Sequence, residues 1–113
     1  MDQLASILKV LSDKNRIRIL KLLEKRKMCV CELTHILGIT QPSVSRHLKK
    51  LKSTQLIAEE QDSLWTNYFL SSSESLFAVS LLKDLKGWLN TDKAIVNDLK
   101  KADTIDRNKL CGK

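Results

Sequence analysis

Thr40-Gln41-Pro42-Ser43-Val44-Ser45-Arg46-His47-Leu48-Lys49-Lys50-Leu51, which follows Gly38 by one residue, is the stretch on which the fold turns. Thr40 is a good N-cap, and Pro42 is tolerated only in a helix's first turn, so a helix starts here. Val44, Leu48 and Leu51 recur at i, i+4, i+7 and define its buried stripe. Ser43, Arg46, Lys49 and Lys50 point away from that stripe. A helix restarting so soon after a glycine C-cap is the second helix of a helix-turn-helix, and that helix enters the major groove of duplex DNA N-terminus first. Gln41, Ser43, Ser45 and Arg46 supply donors and acceptors for base edges, Arg to guanine and Gln to adenine being the strongest pairs. His47, Lys49 and Lys50 suit phosphates, with Lys14, Arg16 and Arg18 as further basic candidates.

Working outward, Leu33, Ile36 and Leu37 bury one side of a preceding helix that starts at Cys31, and Cys31, Thr34 and His35 fall on the other side. Residues 28–30 read as a short extended piece. Leu4, Ile7, Leu8 and Leu11 mark a first amphipathic helix. Ser12 or Asp13 caps a second, in which Ile17, Leu20 and Leu23 face inward. Downstream, 56–61 and 64–70 are β-like runs around Asp62-Ser63, a hairpin signature. A long helix is expected over 74–90. Its apolar residues spread over more than one face, so it needs a second partner, which we take to be the same helix of another subunit. Ala94, Ile95 and Leu99 mark a short amphipathic stretch, and 102–113 reads as a polar tail.

These elements predict a mainly α protein with a small β-hairpin: a dimeric winged helix-turn-helix. Residues 1–90 would form the DNA-binding and dimerisation domain, and 91–113 a helical extension with a polar tail. A dimer of this kind reads an operator with an inverted repeat in double-stranded DNA. Net charge is +7 over 113 residues, which favours a polyanionic partner. No apolar run approaches the roughly 18 residues of a membrane span, and the opening Met1-Asp2-Gln3 is not a signal peptide, so a cytoplasmic protein with no membrane partner is expected. No Ser/His/Asp set, paired carboxylates or C-x-x-C beside a βαβ pattern is visible, so no enzyme is expected.

The segments Leu11-Ser12-Asp13-Lys14-Asn15-Arg16-Ile17-Arg18-Ile19-Leu20, Cys29-Val30-Cys31-Glu32-Leu33 and Gln41-Pro42-Ser43-Val44-Ser45-Arg46-His47-Leu48 together resemble the ArsR/SmtB family of small dimeric repressors, over roughly residues 4–90. The cysteine pair before Glu-Leu is similar to that of the arsenic-sensing members. The resemblance implies a metalloid-responsive repressor that leaves its operator when a soft ion binds cysteine thiolates. Two departures stand out. Arsenic-sensing relatives often carry a further cysteine three residues after the second, where this chain has Thr34. Family wings are usually basic, whereas Glu59, Glu60 and Asp62 occupy this one.

Cys31 at a helix N-terminus, near Lys25, Arg26 and Lys27, is placed to be a thiolate. Cys29, next to Val30, fits burial better. Cys29 and Cys31 can chelate one ion together, and As(III) or Sb(III) prefers three sulfurs. The remaining thiol, Cys111, could fold back within the same or the partner subunit. His35 would suit Zn(II) or Cd(II) better than arsenic. The zinc-sensing branch uses Asp and His on the closing helix, and this closing helix has no histidine. The expected effectors are therefore As(III) first, then Sb(III), Cd(II) or Pb(II), held by Cys29, Cys31 and Cys111. The competing reading is a redox-sensing repressor of the same fold, in which Cys29 or Cys31 forms a disulfide with Cys111.

Overall fold

The computed structural model describes residues 1–112, and Lys113, the last residue of the expected tail, lies outside the described residues. Helices α1 (Asp2–Val10), α2 (Lys14–Lys25), α3 (Val30–Leu37) and α4 (Gln41–Ser53) precede a hairpin of β2 (Ile57–Asp62) and β3 (Trp65–Leu70). Helices α5 (Leu76–Leu85), α6 (Lys93–Thr104) and α7 (Arg107–Leu110) follow it, and the two-residue strand β1 (Met28–Cys29) lies between α2 and α3. The sheet is antiparallel in the order β1-β3-β2. This is the winged helix-turn-helix expected from the sequence.

Local chemistry explains the boundaries. Asp13, rather than Ser12, caps α2 by accepting from the backbone N–H groups of Asn15 and Arg16. Gly38 ends α3 at φ 69°, in the left-handed region where glycine avoids a Cβ clash. Thr40 then caps α4 by accepting from Ser43 N–H, with Pro42 in the first turn. The predicted stripe of Val44, Leu48 and Leu51 is fully buried, each residue contributing roughly 1.5–3 kcal/mol. It packs on Ile19, Leu20, Leu33 and Ile36 in one continuous core that also takes in Ile7, Ala78, Leu82 and Ala102.

Three expectations need correction. The hairpin pairs Asp62 with Trp65, so its loop is Ser63-Leu64, with Ser63 at φ 56°, one residue later than the Asp62-Ser63 turn read from composition. The closing helix does not reach residue 90 but ends at Leu85. There the Leu85 carbonyl accepts from Lys21 Nζ at 2.9 Å and from Trp88 N–H at 3.0 Å, and this capture of a terminal acceptor replaces a further helical turn. The expected polar tail from residue 102 carries more helix than its composition suggested. Helix α6 runs to Thr104 with Ala102 buried, and Asp106 caps the short helix α7. Asp92 likewise caps α6 through Ala94 and Ile95 N–H, a side-chain signal overlooked beside the apolar periodicity.

Candidate DNA-reading face and thiol cleft

Helix α4 presents Gln41, Ser45, Arg46, Lys49 and Lys50 to solvent, as its stripe requires. Ser43 is half-buried, and its Oγ accepts from Thr40 Oγ1 at 2.9 Å and from Arg46 Nη2 at 3.1 Å, which steadies the Arg46 guanidinium over the first turn. His47 turns back toward α2. Its Nδ1 accepts from Arg16 Nε at 3.0 Å, so the ring is neutral at that nitrogen. Partial burial holds the imidazole below its ordinary 6.5, helped by the positive charges of Arg16, Lys50 and Arg46 and opposed by Asp13. Of the further basic candidates, Lys14 is exposed. Arg18 is engaged elsewhere: its Nε and Nη2 clamp the carboxylate of buried Asp98 on α6 at 2.8 and 2.9 Å.

The acidic wing is internally compensated. Glu59 pairs with Lys52, Glu60 with Lys27 at 2.6 Å, and Asp62 lies 4.0 Å from Arg107. Lys27 also sits 5.1 Å above the Phe69 ring. The carboxylates are therefore neutralised by the body of the protein rather than left as a repulsive field toward a phosphate backbone.

The three cysteines of the chain converge on one cleft of about 360 Å³, lined also by Val30, Gln41, Trp65 and Thr66. Cys29 is buried at the N-cap of α3, and its backbone N–H donates to Glu32 Oε1 at 3.1 Å. Cys31, in the first turn, is half-buried and forms a disulfide with Cys111, the residue that follows α7. Among the described residues no group of three or more His, Cys, Asp or Glu is arranged to hold a metal ion. Reduction is needed before three thiolates are available, since the thiolate is the ligand form. Thr34 Oγ1 is buried without a hydrogen-bond partner among the described residues, and His35 is exposed. Gln41, the first residue of α4, thus lines the same cleft as the three cysteines.

One residue of this region was missed from the sequence. Arg107 lies over Trp65, 4.6 Å from the ring centre, and donates from Nη1 to Asn67 Oδ1 at 2.6 Å. Buried Glu32 anchors the same neighbourhood: it accepts from Arg26 Nη1 at 2.8 Å and lies 4.0 Å from Arg107. An arginine just after Asp106 in a polar stretch carries no local signal for this role.

A three-stranded wing beside a capped, basic second helix defines a winged-helix, DNA-binding transcriptional regulator. Residues 13–59 match the family described as bacterial regulatory protein, arsR family. The chain is 32% identical over 91 residues to the arsenic resistance transcriptional regulator ArsR1 of Pseudomonas putida, covering 76% of this chain and 71% of that one. It is 40% identical over 67 residues to the arsenical resistance operon repressor of Bacillus subtilis, covering 58% and 64%. Among solved structures, reduced HlyU from Vibrio cholerae superposes with a TM-score of 0.64 at 26% identity, covering 76% and 87%. The chain belongs to the ArsR family.

Proposed function

We propose that this chain is a metalloid-responsive repressor that binds an inverted-repeat operator as a homodimer and releases it when As(III) is captured by Cys29, Cys31 and Cys111. The observation that carries the reading is that Cys29, Cys31 and Cys111 all line one cleft to which Gln41 also contributes. Two sulfurs come from the start of α3 and the third from beyond α7, a donor set suited to a soft, pyramidal ion once reduced. The arsenical repressors among its relatives support the same effector, with Sb(III), Cd(II) and Pb(II) as weaker alternatives.

Capture would pull α3 and the tail together. Helix α3 packs directly on α4, and Cys29 lies in register with β3 of the wing, so both DNA-facing elements would feel the change. A coupling of about 1–3 kcal/mol would lower operator affinity roughly 5–150-fold. Dimerisation is supported by Leu4 and Leu8 on α1 and Leu76, Phe77 and Val79 on α5, apolar residues left exposed on two helices that pack together. Among the described residues, no helix is long and apolar enough to cross a membrane. We expect a cytoplasmic regulator without enzymatic activity.

The test is operator release followed by fluorescence anisotropy under a phosphine reductant. As(III) should release the DNA at low stoichiometric excess. Retention of DNA at saturating As(III), with all three thiols reduced, would sink the proposal.

A second reading is favoured by one observation, the Cys31–Cys111 disulfide. In that reading oxidation alone releases DNA. Metalloid-free oxidation by diamide, followed in the same assay, separates it from the first.

A further inference from the structure

We infer that Arg107 is a positioning residue that docks the C-terminal helix onto the wing and so delivers the Cys111 thiol to Cys31 of the same chain. Helix α7 buries none of its four residues, so apolar packing does not hold it. Ile105, just before α7, packs against the core, and beyond it the side-chain tether to the wing is one guanidinium. Arg107 covers the buried indole of Trp65 at 4.6 Å, donates to buried Asn67 at 2.6 Å, and lies 4.0 Å from both Glu32 on α3 and Asp62 at the wing tip. A planar guanidinium can stack and donate at once, which an ammonium cannot. Four residues later the chain places Cys111 with its Cα 6.0 Å from that of Cys31, across a sequence separation of 80. Most of that separation is folded chain, since α6 is packed as far as Ala102, so what decides whether the two thiols meet is the direction in which the short segment beyond α6 is held. Docking by Arg107 sets that direction.

The consequence for the sensor, a third thiolate supplied in cis, rests on the three-thiol reading above. The docking itself does not, and its test uses neither metalloid nor DNA, so either can fail alone.

The experiment is equilibration of the full chain, in a Cys29→Ser background, with reduced and oxidised glutathione. Two glutathione thiols reduce the Cys31–Cys111 bond to two protein thiols and leave as glutathione disulfide. Arg107→Ala should make the bond about tenfold easier to reduce, read as the glutathione ratio at half-reduction. Arg107→Lys, which keeps the charge, should fall between the two and covers the event that the alanine variant folds poorly. A second readout is the emission of Trp65 in a Trp88→Phe background. Arg107→Ala should change it, whereas Cys111→Ser should leave it as it is because the tail stays docked. A ratio within twofold of the parent for both Arg107 variants would overturn the inference. So would a Cys111→Ser spectrum matching that of Arg107→Ala, since the disulfide would then be holding the arginine and not the reverse.

Discussion

Cys29 stands opposite Asn67 in the β1–β3 ladder, and the Asn67 side chain accepts from Arg107, the residue that tethers the tail bearing Cys111. The first thiol of the cleft and the anchor of the third therefore meet on one wing residue. Whatever draws the sulfurs together acts on the wing and on the start of α3 at once.

Replacing Cys29 or Cys31 by Ser should abolish As(III)-driven release while leaving operator binding within about twofold. A hydroxyl is a hard, protonated and weak ligand. Because Cys29 is 4% exposed, its substitution should also cost about 1–2 kcal/mol of stability. Anisotropy titrations with and without As(III), beside urea unfolding, check both parts. Full release in the Cys29→Ser, Cys31→Ser double variant would exclude the thiol site.

Thr34 lies three residues after Cys31 in α3, where a thiol would share its helix face. Thr34→Cys should make As(III) response independent of Cys111, so that Thr34→Cys restores release lost in Cys111→Ser. X-ray absorption should then report three sulfur neighbours in both the parent and the doubly substituted chain. Two sulfurs and an oxygen in the parent would remove Cys111 from the ligand set.

Base reading and phosphate contact should separate on α4. Arg46→Ala should cost roughly 1–3 kcal/mol on the operator and relax sequence preference. Lys49→Ala or Lys50→Ala should weaken binding to every sequence and reduce the salt slope by about one unit each. Equal loss of specificity in all three would mean that the exposed face of α4 is oriented differently on DNA.

Arg18 should behave as a structural residue. Removing it leaves the Asp98 carboxylate, 3% exposed, without its bidentate partner. Arg18→Ala should destabilise the fold by about 3 kcal/mol. The salt dependence of DNA binding, measured well below the unfolding midpoint, should be unchanged. A lowered slope at unchanged stability would return Arg18 to the DNA interface.

Acidification should weaken the fold through His47. Its folded pKa lies below the ordinary 6.5, so the unfolded chain takes up the proton more readily. The stability it contributes is fully present above about pH 6.5 and is lost as pH falls through the lowered folded value. Protonation also removes the Nδ1 lone pair that accepts from Arg16. Urea midpoints between about pH 7.5 and 5 should drop, and His47→Gln should flatten that dependence. An identical slope in the substituted chain would assign it to other groups.

What the sequence determined by itself is the part governed by neighbours a few residues apart. The stripe of Val44, Leu48 and Leu51, the Thr40 cap, the Gly38 stop and the alternating hairpin strands are local rules, and each was in place to within a residue. The placement of Cys29 and Cys31 at the start of α3 belongs with them. Only the tertiary structure decided the rest. Helix α5 stops at Leu85 because Lys21, 64 residues earlier, takes its terminal carbonyl, although Trp88 and Leu89 continue the apolar pattern. Arg18 looked like a phosphate contact until Asp98, 80 residues on, claimed it. The wing read only as acidic where the family is basic, and the fold supplied Lys52, Lys27 and Arg107 as partners for Glu59, Glu60 and Asp62. Cys111 met Cys31 because Arg107 found an indole and an amide on the wing. Charged side chains are long and their attraction is non-local, so a sequence states their sign but not their partner, and in this protein the partners assemble the cleft.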